Sequence, residues 1–132
     1  MSDYTHLNLR EDVEDSAVSF GLAPDLEARF ANTALGPVQS GLSFQRVAPG
    51  VRSSFGHRQK TQEEVYVIVG GGGRIKVGDE VRELRQWDAV RVPPDTMRAF
   101  EAGPDGLELL AIGAPATGPG DAIMEENWWP AT

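Results

Sequence analysis

From residue 42 onward, short runs rich in Val, Ile, Phe and Leu are cut by Gly, Pro and Asp at a spacing of about eight to twelve residues, the signature of an all-β sandwich or barrel. The pattern predicts strands near 42–48, 51–58, 64–69, 73–77, 80–85, 89–92, 97–102 and 107–113. Between two of them, Val77-Gly78-Asp79-Glu80 reads as a tight hairpin, because Gly-Asp accepts the positive φ angles such turns need. Gly70-Gly71-Gly72-Gly73 lacks the Lys-Ser/Thr of a phosphate loop and opens into the strand-like Arg74-Ile75-Lys76-Val77, so it reads as another hairpin turn.

Residues 1–41 read as an N-terminal arm packed on a barrel of residues 42–113, and residues 114–132 as a C-terminal tail of the same domain. In the arm, Asp12 is positioned to cap a short helix presenting Val13, Ala17 and Phe20 and stopping at Gly21. Pro24 either opens a second helix, with Leu26, Phe30 and Ala34 on one side, or precedes an extended segment over 26–31. The tail begins with Ala114-Pro115-Ala116-Thr117-Gly118-Pro119-Gly120, an extended linker by composition, and carries Trp128-Trp129 as a packing anchor.

A chain of 132 residues suffices for one domain with one core. A mean hydropathy of -0.31 suits a soluble protein, and no apolar run approaches the roughly 18 residues of a membrane span. The first residues carry neither a basic cluster nor an apolar core, so the expected location is cytoplasmic. With no cysteine, disulfides and thiolate chemistry are excluded. A net charge of -8 repels phosphate backbones, which argues against nucleic acid as a partner.

The stretch His57-Arg58-Gln59-Lys60-Thr61-Gln62-Glu63-Glu64 followed by Gly71 resembles the first sequence motif of the cupin superfamily, which reads His-x-His, three or four residues, Glu, six residues, Gly. His57 stands at the first histidine, Gln59 at the second and Glu64 at the glutamate. Laid from Trp87, the family's second motif matches at Pro93 and puts Arg98 where a histidine belongs. The resemblance implies a double-stranded β-helix, or jelly-roll barrel, of the small conserved-barrel type, in which these four positions hold a divalent metal.

Here two of the four positions, 59 and 98, lack the imidazole that the resemblance implies. In a strand, residues 57 and 59 point to one face, the spacing that aims two side chains at one ion. A guanidinium in the fourth position is donor-only and always charged, so Arg98 cannot coordinate. Two like charges about 4 Å apart repel by roughly 4 kcal/mol at an effective dielectric of 20, and a dication doubles this. The expectation is that a protein cation replaces the metal cation, with Arg98 paired to Glu64 and no tightly bound metal or other cofactor. Glu63 is the rival for Glu64, but only Glu64 leaves six residues before Gly71 and shares a strand face with Tyr66 and Ile68.

Function is therefore read as binding of a small molecule of unknown identity, anionic or carboxylate in character, in a pocket of His57, Gln59, Glu64, Arg98 and Tyr66. Arg46 and Arg91 are further candidates for that pocket, each with a surface alternative, and His6 reads as exposed. One rival is a metal-dependent oxygenase or isomerase using His57, Gln59 and Glu64; another is a metal-free enzyme with His57 as base near Glu64; the plain alternative is a structural polar cluster. Val65, Val67 and Val69 line one strand face while Tyr66 and Ile68 line the other, and covering both faces predicts a homodimer.

Overall fold

The computed structural model describes residues 3–113 and 122–130, so the linker reading of 114–120 lies outside the described residues. Eight strands form one curled antiparallel sheet, the expected jelly-roll barrel: β1 (Leu26–Phe30), β2 (Gly41–Val47), β3 (Phe55–Gln59), β4 (Glu64–Val77), β5 (Glu80–Arg85), β6 (Ala89–Val92), β7 (Arg98–Gly113) and β8 (Ala122–Glu126). The backbone of the barrel is the long β4–β7 ribbon, paired from Glu64↔Gly113 to Val77↔Arg98. One end of this ribbon is extended by β2 and then β1 on β7, and by β6 on β4. At its other end β5 joins β4, while β3 and then β8 join β7.

The hairpin at Gly78-Asp79 is present, with Gly78 at φ 56° between β4 and β5. The reading of Gly70–Gly73 as a turn is corrected: the four glycines lie inside β4, where the ladder to β7 shifts register at Ile68/Gly70 and again at Gly71/Gly73. They are needed for close backbone approach rather than for reversal of the chain. A Cβ on Gly73 would lie 2.0 Å from the Glu101 carbonyl, and one on Gly71, which has φ +65°, 2.0 Å from that of Gly106. These bulges let one strand serve both halves of the barrel. For the same reason the two predicted strands 97–102 and 107–113 are one strand, β7.

Within the arm, Asn8 rather than Asp12 caps the first helix, α1 (Leu9–Asp12), and Asp15 caps α2 (Ser16–Ser19), each by accepting backbone N–H bonds. Val13 and Ala17 are buried, but Phe20 is exposed. Of the two readings at Pro24, the extended one holds: Leu26–Phe30 is β1, an edge strand on β2. A third turn of helix, α3 (Asn32–Leu35), ends at Gly36 in the left-handed conformation.

Tyr66, Ile68, Ile75, Val92, Leu107 and Leu109 are wholly buried and form the centre of the core with Val47, Phe100 and Ala111. Alternation along β4 and β7 turns the other side chains outward. Val65 and Val67 stand opposite Ile112 and Leu110, which in turn face Leu42 and Phe44 of β2. The result is an apolar outer strip on which Ile112 is exposed.

The tail is held by a different device. Glu101 accepts from Arg52 Nε at 2.7 Å and from Arg74 Nη2 at 2.6 Å. Both guanidinium groups lie against the Trp129 ring, at 4.3 and 5.4 Å from its centroid, and Arg52 also donates to the Pro130 carbonyl. Trp128 sits on Gly56, where any side chain would meet its ring, and beneath the Lys76 ammonium. The Trp pair thus anchors β8 against β3 through packing and cation–π contacts.

Candidate functional site

Inward positions on three strands supply the site. His57 and Gln59 alternate with Arg58 on β3, Glu64 and Tyr66 with Val65 on β4, and Arg98 opens β7 directly across from His57. All five face the barrel interior. Glu63 falls on the other side of the strand start, exposed and paired with Arg91 at 3.0 Å. Arg46 leaves the interior too: its Nε bonds Glu27 at 3.0 Å on the outer face, where Arg29 and Arg10 also hold that carboxylate. His6 is exposed and remote from the cavity lining.

Glu64 is the hub. Its Oε1 accepts from Arg98 Nη2 at 2.6 Å, from the Tyr66 hydroxyl at 2.5 Å and from His57 Nε2 at 3.1 Å. An ionised carboxylate only accepts, so Nε2 carries the proton in the last of these. Arg98 closes the network by donating from Nε to the Tyr66 oxygen at 2.9 Å and from Nη1 to the Thr96 carbonyl at 2.8 Å, with the Pro93 and Pro94 carbonyls slightly farther. Every guanidinium nitrogen is bonded to protein, and the side chain is 0% exposed. The turn Pro93–Thr96, positioned by the rigid Pro-Pro pair, is therefore a carbonyl cradle for a buried cation.

Electrostatics follow from this geometry. Burial by itself raises the Glu64 carboxyl, but hydrogen bonds from His57 and Tyr66, together with the charges on His57 and Arg98, outweigh it and hold the group at about 2 instead of the ordinary 4.5. Burial and the neighbouring Glu64 charge push the Tyr66 phenol far up, so it remains a donor. Tyr66 also meets Phe100 edge-on at 5.0 Å, which fixes its ring.

The network forms the inner end of a cavity of about 830 Å³ that reaches the rim of the barrel. His57, Gln59 and Glu64 border it at depth, Phe55 and Phe100 along its length, and Met124 of β8 and Phe30 of β1 near its opening. That β1 and β8 wall the cavity was not anticipated from sequence. Pairing partners from both ends of the chain leave no local signal beyond the alternation of Leu26, Ala28 and Phe30.

A divalent cation needs several lone pairs converging on one point. Here the Glu64 oxygen that faces His57 is occupied by three N–H or O–H donors, one of them cationic. Among the described residues no group of three or more His, Cys, Asp or Glu is placed to hold a metal ion. The residues present do not fit the metal that the resemblance implied at this position.

No protein-family model matches the chain, and no curated protein matches it. Solved structures do. A cupin protein from Bacteroides fragilis is 24% identical, with 91% of each chain covered and a TM-score of 0.70. The polyketide cyclase RemF from Streptomyces resistomycificus is 19% identical over 96% of this chain and 85% of its own, also at a TM-score of 0.70. A variant of Streptomyces PAC13 solved with uridine is 16% identical over 96% and 93%, again at 0.70. The chain has the fold of these cupin proteins.

Proposed function

We propose that this protein binds a small organic molecule in the barrel cavity without a divalent metal, Arg98 standing where a metal would otherwise stabilise the inner carboxylate. The observation that carries the reading is the ion pair between Arg98 and Glu64 at the closed end of an 830 Å³ cavity. The volume lies within the 300–1,000 Å³ typical of small-molecule sites, and the lining is the usual combination of apolar walls and a few convergent polar groups. Two neighbours in fold support it by their own contents: one is a polyketide cyclase and another was solved with uridine. His57 is the residue of the network with most of its side chain toward the cavity, 20% exposed against 0% for Arg98, and it is the group offered to a ligand.

The test has two arms. Elemental analysis of dialysed protein is expected to find substoichiometric Fe, Mn, Ni, Cu and Zn; close to one equivalent of any of them overturns metal independence. Aromatic fragments screened by ligand-observed NMR are expected to give saturation transfer that a Met124→Trp variant, filling the cavity, abolishes. Absence of any such fragment at millimolar concentration overturns the binding role.

The protein is also proposed to be a homodimer. The outer strip of Leu42, Val65, Val67, Leu110 and Ile112 is what a self-complementary interface between two sheets needs, and such strips are seldom left open on a monomer.

A further inference from the structure

The charged groups around the cavity narrow the class of ligand, given the binding role proposed above. Five ionisable side chains besides His57 border it: Glu27, Arg46, Glu64, Arg98 and Glu126. Glu27 and Arg46 are bonded to one another on the outer face of β1 and β2, and it is Leu26 and Val47, their neighbours in the strands, that pack into the core. Arg98 is 0% exposed and gives its donors to Glu64, Tyr66 and three backbone carbonyls. Arg98 thus has no free donor for a ligand anion, and the Arg46 guanidinium is tied to Glu27 on the outer face. The acidic groups differ: Glu64 is 16% exposed at depth, and Glu126 of β8 is exposed at the rim.

An anion entering this cavity passes the Glu126 carboxylate at the mouth and finds at the end a Glu64–Arg98 pair whose charges already cancel. A cation gains little in exchange, because the Glu64 charge is already matched by Arg98 at 2.6 Å and that of Glu126 is screened by water. Between the two lie Phe55, Phe100, Met124 and Phe30, a wall suited to a flat ring system. At depth Gln59 can both donate and accept, and Glu64 accepts. A hydroxyl, which also does both, is the complement of that pair.

We propose that the cavity selects an uncharged aromatic molecule bearing a hydroxyl on the end that enters first. This departs from the carboxylate expected from sequence, because Arg46 and Arg91, the guanidinium groups offered to it, are paired with Glu27 and Glu63.

An isosteric series separates the alternatives: 2-naphthol, 2-naphthoate, protonated 2-naphthylmethylamine and naphthalene, titrated at pH 7 into the full chain and followed by calorimetry. The expected order has 2-naphthol binding roughly tenfold more tightly than either charged probe, and roughly three- to tenfold more tightly than naphthalene, the worth of about one neutral hydrogen bond. Gln59→Leu should bring 2-naphthol down to the naphthalene value, and Met124→Trp should abolish binding of both. Tighter binding of 2-naphthoate or of the ammonium, or four affinities within threefold of one another, overturns the inference while leaving a working cavity. Binding that survives Met124→Trp places the probe elsewhere and overturns it as well. If none of the four binds, the small-molecule reading falls with it.

Discussion

Replacing Arg98 with methionine keeps much of the volume of the side chain and removes its charge. Glu64 then remains behind with His57 and Tyr66 alone, and the Thr96 carbonyl loses its guanidinium donor, while those of Pro93 and Pro94 keep backbone partners. Stranding one member of a buried pair costs about 3–5 kcal/mol. Holding Glu64 at about 2 rather than 4.5 corresponds to about 3 kcal/mol of stability near neutral pH, shared among the His57 and Tyr66 hydrogen bonds and the charges of His57 and Arg98. Because the folded-state value is depressed, this contribution is complete above pH 4.5 and is lost as the pH falls toward 2. Arg98→Met should therefore lose stability at pH 7, measured by urea unfolding, and should show a weaker acid sensitivity than wild type between pH 5 and pH 3. Glu64→Gln alone should also destabilise, by leaving the guanidinium unpaired. The double variant should recover about 2 kcal/mol relative to the sum of the singles. If the two losses add to within about 0.5 kcal/mol, the pair does not hold the inner end of the barrel and the account of metal replacement fails with it.

Restoring both imidazoles, Gln59→His with Arg98→His, should create saturable Ni2+ binding, read as a rise in melting temperature with added metal, whereas Gln59→His alone should not, since the guanidinium remains. Trp129→Ala removes the ring that Arg52 and Arg74 cover and should cost about 3 kcal/mol in thermal or urea unfolding; a loss below about 1 kcal/mol would mean that the tail is not anchored there. Gly73→Ala should unfold or severely destabilise the chain by circular dichroism, because its Cβ meets the Glu101 carbonyl and a backbone atom cannot rotate aside. Val67→Lys on the outer strip should convert a dimer into a monomer by light scattering without loss of the fold; a wild-type monomer at micromolar concentration would dispose of the dimer.

Features set by near neighbours could be read in advance. Alternation gives β2, β5 and β6 to within a residue or two, and Gly-Asp marks its hairpin because positive φ is a local demand. The motif resemblance likewise put His57, Glu64 and Arg98 together, and the structure brings their side chains into contact. What could not be read depends on who packs against whom. Four consecutive glycines signal a turn to any local rule, yet their reason is the carbonyls of Glu101 and Gly106, distant in sequence, which occupy the space a Cβ would need. Leu26–Phe30 was left open between helix and strand because its conformation is settled by the free edge of β2.

The strand pairings imply an order of assembly. β4 and β5 are joined by a two-residue turn and can pair as soon as both exist, whereas β3 must find β8 across most of the barrel sequence, with Phe55 opposite Glu126. Closing so long a loop carries an entropic cost that only many simultaneous contacts return. The rate-limiting search should accordingly lie in bringing the C-terminal strand home, after the β4–β7 ribbon has formed a scaffold. Until that happens the cavity has no wall on one side. A ribosome-bound chain whose last residues are still in the exit tunnel would thus have most of a barrel and nothing yet able to retain a ligand.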